Sequence, residues 1–173
     1  MRIGDHLHRL AQAPSTAAFL ADTPPLVLVE VEAAQGDGDV AVTARLTSAS
    51  IQHQTATARD ARVVPLAGPH AVGGADGVLV GRGPHCQLVV DHASVSKEHA
   101  RVHVPGGAAG AAPQVEDLGS TNGTFVDGLR LAAHVRHALA PDHTVRFGRG
   151  ALFQVLDAKG LLQYLEVLRR FGI

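Results

Sequence analysis

Two hydrophobic periods succeed each other along this chain. Residues 3–12 place Leu7, Leu10 and Ala11 on one helical face, and residues 15–21 follow Pro14 with Ser15 positioned as the N-cap of a second short helix. Pro24 and Pro25 close that section. The period then shortens. Residues 26–33, "LVLVEVEA", are β-like, residues 36–39, "GDGD", form a turn, and residues 40–46, "VAVTARL", alternate as a returning strand. Residues 47–60 are polar and weakly patterned, a linker or a poor strand.

From residue 62 onward, short apolar runs alternate with Gly, Pro and Asp punctuation: "RVVPL", "GVLVG", "QLVV", "ARVHV", "QVEDL", "GTFVDGLRL" and "TVRFGRGALFQVL". Closely spaced short strands of this kind predict an antiparallel sandwich or barrel. Asp127-Gly128 predicts a two-residue type I′ hairpin turn, since both residues tolerate positive φ. Residues 104–114, "VPGGAAGAAPQ", are a low-complexity connection between strands. At the end, Leu161, Leu165 and Leu168 fall at helical spacing with Glu166, Arg169 and Arg170 outside the stripe, an amphipathic helix whose apolar face covers the sandwich or the N-terminal segment. The expected fold is mostly β. An N-terminal α/β extension (1–60: short helices plus a hairpin) precedes an antiparallel β-sandwich (61–157), and a C-terminal helix (158–173) follows it.

Composition narrows what such a fold does. At 46% hydrophobic the chain buries a sizeable core, and with 3% aromatics and no Trp that core is built from Val, Leu, Ile and Ala. Lys+Arg 15 against Asp+Glu 16 leaves a net charge of −1, without the basic excess of a nucleic-acid binder. An anion bound here is therefore small and held locally. Cys86 is the only cysteine, which rules out an intrachain disulfide, argues against an oxidised secreted scaffold and reads as a small buried hydrophobe. The N-terminus lacks the apolar core of a signal peptide, and no apolar run is long enough to insert in a bilayer, so the expected location is the cytoplasm. Lys97 and Lys159 are the only lysines; the preference for Arg, with abundant Ala and Gly, points to a GC-rich, bacterial genome.

Enzyme motifs fail one by one. Neither lysine follows a glycine, which excludes a Walker A loop. "GRGPHC" begins like a dinucleotide-binding turn, but Cys86 replaces its third glycine and no helix follows. "GSTNG" carries Thr121 where a nucleophile elbow needs Ser, and it leads into a strand. The histidine pairs His6/His8, His99/His103 and His134/His137 fit no metal-binding pattern, so neither metal nor cofactor is expected. Asn122-Gly123-Thr124 matches a glycosylation sequon, with no secretory signal to bring it into use.

Three strand-end segments remain: "VGRG" (80–83), "SVSKEHA" (94–100) and "GSTNGT" (119–124). Together they supply a guanidinium, an ammonium, hydroxyls, a carboxamide and glycine-flanked backbone. All of these donate hydrogen bonds, which makes a receptor for an oxyanion, and planar, permanently charged Arg82 suits a phosphate best. The segments resemble the forkhead-associated (FHA) domain, a phosphothreonine-binding β-sandwich. Its pattern of G-R, then S-x-x-H, then D-x-G-S-T-N-G-T-(aromatic)-V-(N/D)-G is matched by Gly81-Arg82, Ser96 to His99, and Asp117 to Gly128. The resemblance covers roughly residues 62–157 and leaves 1–60 unmatched.

The resemblance implies a non-catalytic module that recognises a phosphothreonine-containing protein, a Ser/Thr kinase or its substrate, with no nucleic acid and no membrane insertion. Arg82 and Ser96 would contact the phosphate, Lys97 would add charge, and Thr121 a hydroxyl or backbone contact. Asn122 would hold the main chain of the bound peptide. Gly81, His99, Gly119 and Gly123 would support the loops, and Ser94 falls where the family reads a residue C-terminal to the phosphothreonine. Each has a plainer role open to it: Arg82 as a surface arginine over a sheet edge, Ser96 as a turn residue, Lys97 as a solvated charge, Thr121 as loop filler, Asn122 as a left-handed turn residue. The alternative function for the same fold is a phospho-independent scaffold of a secretion or sensory complex, docking through residues 1–60 and the terminal helix.

Overall fold

The computed structural model describes residues 1–31, 58–66, 72, 77–104 and 112–170. The turn expected at 36–39, the returning strand at 40–46, residues 47–57, the stretch 105–111 and the last three residues of the chain lie outside that set. Helix α1 (Ile3–Gln12) buries Ile3, His6, Leu7 and Leu10 along one face, and Asp5 accepts the Arg2 N–H at its start. Helix α2 (Thr16–Ala21) begins at Ser15, whose Oγ accepts the Ala18 N–H at 3.2 Å, the cap expected from the sequence.

Eleven strands follow among the described residues: β1 (Leu26–Val31), β2 (Val63–Pro65), β3 (Val78–Gly81), β4 (Leu88–Val89), β5 (Ala100–His103), β6 (Gln114–Asp117), β7 (Thr124–Val126), β8 (Leu129–Arg130), β9 (Arg136–Ala138), β10 (Thr144–Phe147) and β11 (Ala151–Asp157). Helix α3 (Ala158–Arg170) ends the described chain. The strands form a six-stranded sheet, β2-β1-β11-β10-β7-β8, and a five-stranded sheet, β4-β3-β5-β6-β9. Their ladders are antiparallel except β3–β4, which is parallel. The hairpin at Asp127 (φ 49°) and Gly128 (φ 82°) forms as its sequence predicts. The run 144–156 divides into β10 and β11 at Gly148, whose φ is 65°.

Alternation along the strands separates two cores. Leu28, Val80, Val102, Val115, Phe147, Phe153 and Val155 point between the sheets. Val27, Val29, Val63 and Leu156 point the other way and meet Ile3, Leu7, Leu10 and Phe19 together with Leu161, Leu165 and Leu168 of α3. The helices thus form a third layer on the outer face of the six-stranded sheet. Because β1 lies between β2 and β11, residues 1–31 are built into the sandwich rather than hung on its edge. Arg62 ties the sheets together: Nε and Nη2 bind the Glu30 carboxylate at 2.7 and 2.8 Å, and Nη1 donates to the Val89 carbonyl of the other sheet. Hydrogen bonds from Arg62 outweigh burial and hold the Glu30 carboxyl below its usual range.

Candidate functional site

The connections β3–β4, β4–β5, β6–β7 and β10–β11 meet through backbone bonds. Past the end of β3, the Arg82 N–H donates to the Ser96 carbonyl at 2.8 Å and the Gly83 N–H to that of Lys97 at 2.9 Å. This close approach requires glycine at position 81, where a Cβ would lie 2.2 Å from the Lys97 carbonyl oxygen. Arg82 Nε donates to the Val95 carbonyl at 3.3 Å, which holds the side chain by its stem. Its Nη1 and Nη2, and Nζ of Lys97, make no hydrogen bond or ion pair among the described residues, and both side chains are exposed.

The β6–β7 loop is knotted around Asp117, which is 3% exposed. Its Oδ1 accepts the N–H groups of Gly119 and Ser120 at 3.0 and 2.9 Å, and its Oδ2 accepts the hydroxyls of Ser120 and Thr124 at 2.6 Å each. Burial pushes this carboxyl up, but the hydrogen bonds from Ser120 and Thr124 outweigh it and the net displacement is downward, so the group stays ionised. The Gly123 N–H closes the loop on Ser120 Oγ at 3.0 Å. Gly119 and Gly123 have φ of 78° and 82°, whereas Asn122 is absent from the positive-φ residues, so it is not the left-handed turn residue of the loop.

His99 joins the two loops. It is fully buried, its Nδ1 accepts the Ser96 N–H at 3.1 Å, and Nε2 therefore carries the proton and donates to the Gly123 carbonyl at 3.1 Å. Burial pushes its pKa down, which keeps the ring neutral. The ring stands edge-on to Phe147 with centroids 5.9 Å apart. Two further bonds cross the gap: Thr121 N–H to Ser96 Oγ at 3.2 Å, and Asn122 Nδ2 to the Ser94 carbonyl at 2.8 Å.

Every residue expected at the site thus falls in one connected set. Arg82, Ser96, Lys97, Thr121 and Asn122 lie on the facing loops, with Gly81, His99, Gly119 and Gly123 beneath or within them. Sequence reasoning gave Asp117 no role, although Asp two residues before Gly is the signature of a side chain that caps its own turn. It also missed the β10–β11 connection, where the Arg149 N–H binds Ser94 Oγ at 2.8 Å while that hydroxyl pairs with His92 Nδ1 at 2.8 Å. Among the described residues no cluster of three or more His, Cys, Asp or Glu could hold a metal. No described helix is long and apolar enough to cross a membrane.

Two stacked sheets with these loops at a common rim define the class. Residues 78–148 match the family model of the FHA domain, and this part of the chain is an FHA domain. The chain is 37% identical over 75 residues to the FHA domain-containing protein FhaB of Mycobacterium tuberculosis, a match covering 43% of this chain and 44% of FhaB. It is 39% identical over 62 residues to protein FraH of Nostoc, covering 36% of this chain and 20% of FraH. The matches therefore span less than half of either relative. Among solved structures, the FHA domain of an Arabidopsis thaliana hypothetical protein superposes with a TM-score of 0.50 at 21% identity, over 78% of this chain and 86% of that one. EmbR of Mycobacterium tuberculosis, solved with a low affinity phosphopeptide, gives a TM-score of 0.50 at 19% identity over 88% of this chain and 29% of its own. At those identities the likeness is one of fold.

Proposed function

We propose that this domain is a non-catalytic reader of phosphothreonine on a partner protein, acting in the cytoplasm in Ser/Thr kinase signalling. The observation that carries the reading is the division of labour at the rim. The Ser96 and Thr121 N–H groups and Asn122 Nδ2 are bonded within the rim, while among the described residues the Arg82 amino groups and the Lys97 ammonium are unpaired beside the hydroxyls of Ser96 and Thr121. A phosphate brings about −1.5 to −2 charges at pH 7 and three acceptor oxygens, which match that donor set. Arg82 and Ser96 would bind the phosphate, Lys97 would add charge, Thr121 a hydroxyl, and Asn122 would hold the peptide main chain.

A few charge-assisted hydrogen bonds at ~1.5–3 kcal/mol each, against several kcal/mol of association and ordering cost, give a moderate and reversible affinity. Such an affinity suits a transient kinase-dependent contact with a kinase or its substrate. The phospho-independent scaffold drew its support from residues 1–60 and the terminal helix as docking surfaces. The apolar faces of α1 and α3 are instead packed on the sheet, which removes part of that support.

The test is Arg82→Ala, measured by fluorescence anisotropy on a phosphothreonine peptide pool, with folding checked by urea denaturation. Binding is expected to vanish while the fold persists, because Arg82 is exposed and its only side-chain bond among the described residues is the long one to Val95. A folded Arg82→Ala chain that binds like wild type overturns the proposal.

A further inference from the structure

The β6–β7 loop has a second charged neighbour that the phosphate reading does not use. The missing side chain of Gly123 leaves room for the guanidinium of Arg130 on β8: a Cβ there would lie 2.6 Å from Nε, 3.2 Å from Cζ and 3.3 Å from Nη2. Three atoms of the planar group approach to similar distances, so it lies along the loop backbone, one residue from Asn122. Arg130 is exposed and makes no hydrogen bond or ion pair among the described residues.

The acids that could have neutralised it are committed elsewhere. Asp127, on the same hairpin, accepts the Thr144 N–H at 2.8 Å and its hydroxyl at 3.2 Å. Asp117 is buried under four donors. His134 packs at the other glycine of the loop, with Nε2 3.4 Å from where a Gly119 Cβ would be, but its Nδ1 faces Glu116 at 3.9 Å. Arg130 is thus a guanidinium with five donors unfilled, resting on the loop that also presents Thr121 and Asn122. The whole chain has a net charge of −1, so bulk attraction does not account for an anion at this spot.

We propose that Arg130 is a specificity residue that binds an anionic group, a side-chain carboxylate or a second phosphate, on the residues flanking the phosphothreonine. This rests on the phosphothreonine reading of the site, because Asn122 beside it is where the bound main chain would run. The domain then selects acidic or doubly phosphorylated segments over neutral ones, and Lys97 and Arg82 serve the primary phosphate.

The experiment uses the full chain and a phosphothreonine peptide with alanine flanks, plus two series that place Asp or a second phosphothreonine at each flanking position in turn. Wild type is expected to bind the acidic version at one or two adjacent positions about two- to fivefold tighter than the alanine version, the scale of one exposed ion pair. Arg130→Gln abolishes that gain and leaves the affinity for the alanine-flanked peptide unchanged, and Arg130→Lys restores part of it. A larger gain for phosphate than for Asp identifies the second phosphate as the source; equal gains identify the carboxylate. A gain that persists in Arg130→Gln overturns the proposal, as does its absence in wild type. Equal weakening of every peptide by Arg130→Gln also overturns it, assigning Arg130 to loop support alone. A wild-type chain that binds no phosphopeptide at all overturns the phosphothreonine reading and this one with it.

Discussion

His99→Phe separates what the buried imidazole does by shape from what it does by hydrogen bonding. The replacement ring still fills a site with no exposure and keeps an edge against Phe147, so the cavity penalty of an alanine is avoided. Both polar contacts disappear. The Ser96 N–H, half-buried, loses its acceptor, a loss of about 1–3 kcal/mol for an unsatisfied donor and nearer the lower end here. The Gly123 carbonyl keeps the Gly148 N–H at 3.0 Å, so its loss is the net worth of one ordinary bond, about 1 kcal/mol. The sum is about 2 kcal/mol, a serious loss from a stability of about 5–15 kcal/mol but one that leaves the domain folded. The two loops also lose their common pin, and about 1.4 kcal/mol of added ordering cost corresponds to tenfold weaker phosphopeptide binding. Urea unfolding followed by circular dichroism, with anisotropy on a labelled peptide, measures both. Stability within about 0.5 kcal/mol of wild type together with unchanged affinity would refute the account, since that is the range of an inconsequential surface change.

Two other outcomes follow from the same geometry. Gly81→Ala drives a methyl to within 2.2 Å of the Lys97 carbonyl, a backbone atom that yields only if the 96–97 segment moves; a destabilisation of about 1–3 kcal/mol and loss of phosphopeptide binding are expected, and wild-type affinity in the variant would count against the close-approach argument. His6 is fully buried in the helical layer with no partner for Nε2 among the described residues; burial, then the nearby Arg9 guanidinium and the N-terminal ammonium, outweigh Asp5 and lower its pKa to about 4. Because the unfolded chain takes up this proton near pH 6.5 and the folded one only near 4, stability is fully present above about pH 6.5 and falls by roughly 3 kcal/mol as the pH drops to 4. Urea midpoints at stepped pH should show a shallower fall in His6→Leu, and a slope as steep as wild type would exclude His6 as the source.

Local chemistry was legible in the sequence and long-range pairing was not. Asp127-Gly128 announced its turn because positive φ is a property of two adjacent residues, and "GRG" at 148–150 held the signal that divides β10 from β11. Strand β9 went unseen because Arg136, His137 and Ala138 are all exposed; with neither face buried there is no alternation to read, and the strand exists only because β6 offers an edge. The place of β1 between β2 and β11 follows from contacts across the whole chain, which no window of sequence contains. At the site, the motif located the residues while their partners stayed hidden. Nothing in "DLGSTNG" says that Arg130 would lie against Gly123 or that Asp117 would take four donors.

The hydrogen bonds inside the rim decide what kind of ligand it suits. The Thr121 N–H, the Ser96 N–H and Asn122 Nδ2 are already occupied by Ser96 Oγ, His99 and the Ser94 carbonyl, so a neutral peptide would have to exchange one good bond for another and gain little. Among the described residues the amino groups of Arg82 and the ammonium of Lys97 make no hydrogen bond, so a ligand there adds interactions without breaking any. On the proposed reading, that asymmetry would make the phosphate, rather than the peptide backbone, the main source of affinity. It also refines the part proposed for Asn122. One Nδ2 hydrogen is committed to Ser94, which leaves Oδ1 and the second Nδ2 hydrogen to meet the peptide main chain; Asn122→Asp and Asn122→Ala both lose the Ser94 bond, so they would differ through the acceptor that Asp keeps and the charge it adds beside the phosphate.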